Sequence, residues 1–111
     1  MYILSSLDDK DCRDTYGRTS LHHMAQLNNA EGFKLLIGMV HDKNPKDDNN
    51  ETPLHVASRL NNIEIVICIS KHLSIAQMNP RNKAGHTPLS IAYAKKHSKI
   101  YHFLKNTKAE S

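Results

Sequence analysis

Asn50-Glu51-Thr52-Pro53-Leu54-His55-Val56-Ala57 holds a short motif, Thr-x-Leu, that this chain carries three times at near-constant spacing. Thr19-Ser20-Leu21-His22 precedes Thr52-Pro53-Leu54-His55 by 33 residues, and Thr87-Pro88-Leu89-Ser90 follows it by 35. The likeness spreads outward on both sides. Leu27-Asn28-Asn29-Ala30-Glu31 returns 33 residues later as Leu60-Asn61-Asn62-Ile63-Glu64. Ahead of each threonine stand Asp14-Thr15-Tyr16-Gly17, Asp47-Asp48-Asn49-Asn50 and Asn82-Lys83-Ala84-Gly85. The same offset aligns Ile3 to Asp14 with Leu36 to Asp47, so the sequence opens inside a copy, at the end of its second helix. A period of this length marks a stack of supersecondary units.

Each copy has a local physical logic. Thr19, Thr52 and Thr87 offer a hydroxyl oxygen to cap a helix, and Pro53 and Pro88 take the first helical position, where no N–H is needed. Ser20 holds that place in the first copy. A short helix then carries Leu21, Met24 and Ala25, or Leu54, Val56 and Ala57, or Leu89, Ile91 and Ala92. Asn28-Asn29 and Asn61-Asn62 make a turn, since Asn tolerates the left-handed conformation. A second helix follows with Phe33, Leu35, Leu36 and Ile37, or Ile65, Val66, Ile67 and Ile69. Asp-x-x-Gly turns the chain towards the next threonine. A helix pair this small cannot bury its apolar face alone, so the copies must stack. The expected fold is all-α, a short solenoid of helix–turn–helix units. Residues 1–14 form the tail of a partial copy, and 15–47 and 48–82 are copies, the second with a two-residue insertion around Ser74 to Asn79. Residues 83–104 are the terminal copy and 105–111 a tail.

The pattern Asp-x-x-Gly-x-Thr-Pro-Leu-His-x-Ala, with Glu64-Ile65-Val66 in the second helix, resembles the ankyrin repeat over residues 3–104, nearly the whole chain. The departures are Asn50 at the turn glycine, Lys96 at a helix-turn glycine, Ser90 at the histidine and Met24 at an alanine. Met24 is expected to push the first inner helix outward. The resemblance implies that His22 and His55 hold the neighbouring loop, so Thr19, His22, Thr52, Pro53, His55, Thr87 and Pro88 belong to the framework. It also implies a protein-interaction module whose loop fingers and inner helices face a partner protein. The variable positions it points to are Arg13, Thr15, Tyr16, Arg18, Gln26 and Leu27 in the first full copy. Lys46, Asp48, Asn49, Glu51, Arg59 and Leu60 follow in the second, and Arg81, Lys83, Ala84, His86, Ala94 and Lys95 in the third. Arg13, Lys46 and Arg81 would form one basic line, and Arg18, Glu51 and His86 a mixed one. Tyr16 and Arg18 are the expected anchors, because aromatic and Arg side chains dominate hot spots. The likeness also admits an inhibitor-of-NF-κB-like role masking a transcription factor, or a place within a longer array with a separate effector domain.

Little in the 111 residues supports chemistry. The adjacent His22 and His23 point about 100° apart on a helix and cannot share a metal. His97 and His102 are five apart, off the spacing that aligns side chains on one helical face, and are expected to decorate the outer surface beside Lys99. Cys68, inside Ile65-Val66-Ile67-Cys68-Ile69, reads as an inert core thiol, and Cys12 between Lys10 and Arg13 as the more reactive one. No serine sits in a nucleophile elbow, and no glycine loop could cradle a phosphate. The chain therefore reads as no enzyme, with no metal and no cofactor. Two cysteines without metal spacing fit a reducing compartment, cytosol or nucleus. No apolar run spans a bilayer and no basic segment opens a signal peptide. The net charge is +4, yet residues 81–108 carry Arg81, Lys83, Lys95, Lys96, Lys99, Lys105 and Lys108 with no acid. Without an RNA- or DNA-binding motif, a solvated lysine face explains this better than nucleic-acid binding.

Tyr2, Ile3, Leu4 and Leu7 alone would shield the first complete inner helix on its amino-terminal side. An uncapped, fraying amino-terminal face is expected there, leading either to self-association or to further repeats before Met1.

Overall fold

The computed structural model describes residues 13–40, 42–73 and 75–107. Among them lie six helices and no strand: α1 Ser20–Leu27, α2 Ala30–Ile37, α3 Pro53–Leu60, α4 Ile63–Ser70, α5 Pro88–Ala94 and α6 Ser98–Thr107. The inserted stretch after α4 contains a 3-10 turn, Ile75–Met78, whose Met78 is buried. α6 runs past residue 104 to Thr107. Successive helices close as hairpins, α1 with α2, α3 with α4 and α5 with α6. The inner helices α1, α3 and α5 pack side by side in one layer, and α2, α4 and α6 form the second.

Capping explains where the inner helices start. The Thr52 hydroxyl accepts from the His55 amide at 3.3 Å, and His55 Nδ1 accepts from the Thr52 amide at 3.1 Å. Thr87 and Ser90 exchange the same pair of bonds, at 3.1 and 3.0 Å. Each such exchange satisfies two amides that the first helical turn leaves free. α1 and α3 end at Asn28 and Asn61, with φ of 56° and 64°, and α5 is followed by Lys96 at 63°. Asn enters this left-handed region at low cost and lysine at a higher one.

The core is a continuous row of Leu21, Ala25, Phe33, Ile37, Leu54, Ala57, Ile65, Val66, Ile69, Ala92, Ile100 and Leu104, all essentially without exposure. Contrary to the sequence expectation, Met24 does not push α1 away, and α1 packs on α3 as α3 packs on α5. The reason is an exchange of bulk between paired helices. The second and third copies match Ala57 with Ile65 and Ala92 with Ile100, whereas the first matches Met24 with Gly32. A Cβ on Gly32 would lie 3.0 Å from Met24 Sδ and 2.8 Å from Asn29 Nδ2. Gly32→Ile alone should therefore destabilise the chain by about 1–3 kcal/mol through overpacking. Adding Met24→Ala should recover most of that loss, because the pair then matches Ala57 with Ile65. Urea denaturation of the two single variants and the double variant checks this, and simply additive losses would contradict the exchange.

Side chains at the hairpin turns tie each copy to the one before. Asn62 Nδ2 donates to the Ala25 carbonyl at 2.7 Å, and 35 residues on, the His97 ring donates from Nδ1 to the Ser58 carbonyl at 2.8 Å. His97 is thus a partly buried tie between copies, and the expectation that it decorates the outer surface is corrected. Tyr2, Ile3, Leu4, Leu7 and Cys12 lie outside the described residues, and with them the expectations of an uncapped amino-terminal face, of self-association there and of a reactive thiol.

Candidate partner-binding groove

Three projecting turns precede the inner helices, and their hydrogen bonds show why the Asp-x-x-Gly pattern builds them. In the first, Asp14 Oδ1 accepts from the amides of Tyr16 and Arg18, both at 2.9 Å. Asp47 Oδ1 does the same for Asn49 and Glu51, at 2.8 and 2.9 Å. Asn82 Oδ1 accepts from the His86 amide at 2.9 Å. Gly17, Asn50 and Gly85 supply the positive φ at each tip, so Asn50 does the work of the missing glycine. Neighbouring fingers then pair through the backbone: the Asp48 amide donates to the Tyr16 carbonyl at 3.0 Å, and the Lys83 amide to the Asn49 carbonyl at 2.9 Å.

The two framework histidines lock this row to the helices. His22 and His55 are buried at the start of α1 and α3. Nδ1 of each accepts from the amide of its own threonine, Thr19 or Thr52, at 3.1 Å. That leaves Nε2–H as the donor, to the Glu51 carbonyl at 2.7 Å and the His86 carbonyl at 2.9 Å. Each imidazole therefore spans from one copy to the finger of the next. Burial holds both rings below their ordinary pKa of 6.5, opposed in part by the bonds to the Glu51 and His86 carbonyls. Ser90 keeps only the capping half of this role, because its side chain is too short to reach beyond Thr87.

An open groove of about 530 Å³ lies between the first two fingers and the inner helices. Tyr16, Arg18, Gln26, Asn49, Glu51, Arg59 and Leu60 line it, with His22 and Val56 at its floor. The Arg18 guanidinium carbon sits 4.8 Å from the centre of the Tyr16 ring, and its Nε is 3.2 Å from Asp14 Oδ2. Tyr16 is nevertheless 63% exposed. Glu51 pairs with Arg59 and also accepts from Asn82 Nδ2 at 3.1 Å, which holds Arg59 along the wall. Burial is the largest single influence on the Asp14 carboxyl and raises its pKa. The amides of Arg18 and Tyr16, the Arg18 charge and the His23 ring outweigh that effect and hold it below 3.8.

Of the partner-facing residues expected from sequence, the structure gathers Tyr16, Arg18, Asn49 and Glu51 around this groove. Arg13, Lys46, Arg81 and His86 do not line it. Arg13 Nη1 donates to the Gly17 and Lys46 carbonyls at 2.8 and 2.7 Å, and Arg81 Nη1 to the Gly85 carbonyl at 2.9 Å. Both guanidinium groups thus brace finger tips. Lys46 and His86 are exposed, and the His86 carbonyl serves His55. Asn62 and His97 were not expected as ties between copies, although their matching places in the period were a usable signal. Cys68 is buried, and burial pushes its thiol pKa up. Among the described residues no group of three His, Cys, Asp or Glu could hold a metal, and no helix is long and apolar enough to cross a membrane.

The comparisons with known proteins agree with this architecture. The family model described as ankyrin repeats (3 copies) matches residues 1–72 and 21–110. No curated protein matches the chain. With its period, its capped inner helices and its histidine-locked fingers covered by that match, the chain belongs to the ankyrin-repeat family.

Proposed function

We propose that this chain works as a protein-binding module that grips a segment of its partner in the groove between the first two fingers. Ankyrin repeats are in general protein–protein interaction modules and are typically not catalytic. The observation that carries the assignment to this groove is the Tyr16–Arg18 pair. Its exposed ring lies against a guanidinium that Asp14 already orients, opposite Arg59 and the half-exposed Leu60. Such a pre-positioned aromatic–arginine pair beside apolar surface loses little side-chain freedom on binding. Tyr16 contributes nothing to the core, and its place is set by the backbone bonds of its finger.

Tyr16→Ala combined with Arg18→Ala should weaken partner binding by about tenfold or more. Stability should fall by no more than about 1 kcal/mol, because Tyr16 is exposed and Arg18 gives up only a partly exposed ion pair. Quantitative affinity capture of a partner by the parent and the variant, with thermal melts alongside, checks the pair of outcomes. A partner retained by this variant but lost on Lys34→Glu, which is exposed on α2 in the outer layer, would contradict the groove assignment.

A further inference from the structure

Charge is distributed unevenly along the stack. Residues 13–80 hold seven Lys or Arg against seven Asp or Glu, whereas residues 81–107 hold six Lys or Arg and no acid. In the first part the charges are partly paired: Arg13 with Asp42, Arg18 with Asp14 and Arg59 with Glu51. Among the described residues, Lys95, Lys96, Lys99 and Lys105 are exposed and make no ion pair. Glu31 and Glu64 occupy the first turn of α2 and α4, where a carboxylate suits the positive end of the helix dipole. The matching residue of α6 is Lys99, so the third copy reverses a charge against local helix preference.

The end of the stack is rebuilt as well. Ala25, Phe33 and Ile37 of the first copy are fully buried, and Ser58 and Val66 replace the first two in the second copy, also buried. The same positions of the third copy hold Tyr93, Tyr101 and Lys105. Tyr93 is 69% exposed, its ring centre 5.4 Å from that of Tyr101, and Lys105 Nζ lies 5.6 Å from the Tyr101 centre. By helical spacing Lys99, His102 and Lys105 share one side of α6, with Tyr101 at its edge. The surface that buries apolar side chains in the first copy is here an aromatic pair with Lys105 against it.

We propose that this carboxy-terminal face docks an acidic segment of a protein, at a site separate from the groove. Carboxylates would neutralise Lys99 and Lys105, and the exposed Tyr93 ring would cover the intervening side chains. Single-stranded nucleic acid fits less well, because the tyrosines are closed on each other and on Lys105 instead of splayed to admit bases.

The test is fluorescence anisotropy of the full chain against three short labelled probes: oligoglutamate, oligolysine of the same length and oligothymidine. Oligoglutamate should bind, more weakly as salt rises, and oligolysine should not. Lys99→Glu with Lys105→Glu should weaken oligoglutamate binding by about tenfold or more, since two attractions become repulsions. The neutral pair Lys99→Gln with Lys105→Gln should fall between, and Tyr93→Ser, which installs the residue type of Ser58, should weaken binding several-fold. Tyr16→Ala with Arg18→Ala should leave it unchanged, which separates this site from the groove. Three results would overturn the proposal: no oligoglutamate binding, an equal loss on Lys34→Glu with Lys71→Glu, or tighter binding of oligothymidine that depends on the same lysines.

Discussion

His55→Ala should lower the stability of this chain by about 3 kcal/mol, which for a domain of this size is a fall in melting temperature of roughly 12–20 °C. The loss has three sources in one residue. The Thr52 amide loses its acceptor, the His86 carbonyl loses its donor, and a fully buried ring leaves a hole. Unpaired buried groups cost more than the bonds themselves were worth, because water cannot replace the partner. The third finger is also released from α3, so the damage crosses from one copy to the next. Exposed His86→Ala should change stability by no more than about 0.5 kcal/mol, since only its backbone is engaged. Thermal melts followed by circular dichroism compare the two, and equal, small shifts would show that His55 does not lock the finger.

Acidification should destabilise the chain as pH falls below about 6.5, the ordinary value for histidine. The bonding of His22 and His55 dictates the sign. Each Nδ1 already faces an amide N–H, so a proton added there would set donor against donor and sit in a desolvated site. The folded rings therefore stay neutral while the unfolded rings take up protons. Stability is fully present above the unfolded pKa, and it is lost as pH drops towards the depressed folded values. While an unfolded ring is protonated and its folded counterpart is not, the loss approaches about 1.4 kcal/mol per pH unit for each ring. Asp14 adds a separate loss at lower pH, below 3.8, where its carboxyl is protonated in the unfolded chain before the folded one. Urea midpoints at pH 7.5 and 5.5 test the histidine part, and a midpoint that holds or rises on acidification would refute it.

What could be read from the sequence was whatever is local and repeated. The threonine cap, the Asn turns of the first two copies and the finger hairpins each involve residues within four or five positions, so aligning the copies displays them directly. Asn50 in the left-handed region follows from its alignment with Gly17 and Gly85. What escaped depends on partners in another helix or another copy. Met24 looked oversized because its compensation, Gly32, lies across a helix pair. His97 looked like a surface residue because its partner is the Ser58 carbonyl, a backbone group that no side-chain spacing reveals. Arg13 and Arg81 offered charge to the eye, yet their guanidinium groups bind carbonyls of the finger tips. The gathering of Tyr16 and Arg18 with Arg59 and Leu60 needed the fingers to be placed over α1 and α3.

A partner held between the fingers and the inner helices would shield both from solvent. Hydrogen exchange of the chain, free and in complex with a captured partner, measures this directly. Protection should rise at residues 14–18 and 47–51 and along α1 and α3, while α2 and α4 in the outer layer exchange as in the free chain. Protection that rises on α2 and α4 and leaves both fingers unchanged would contradict it.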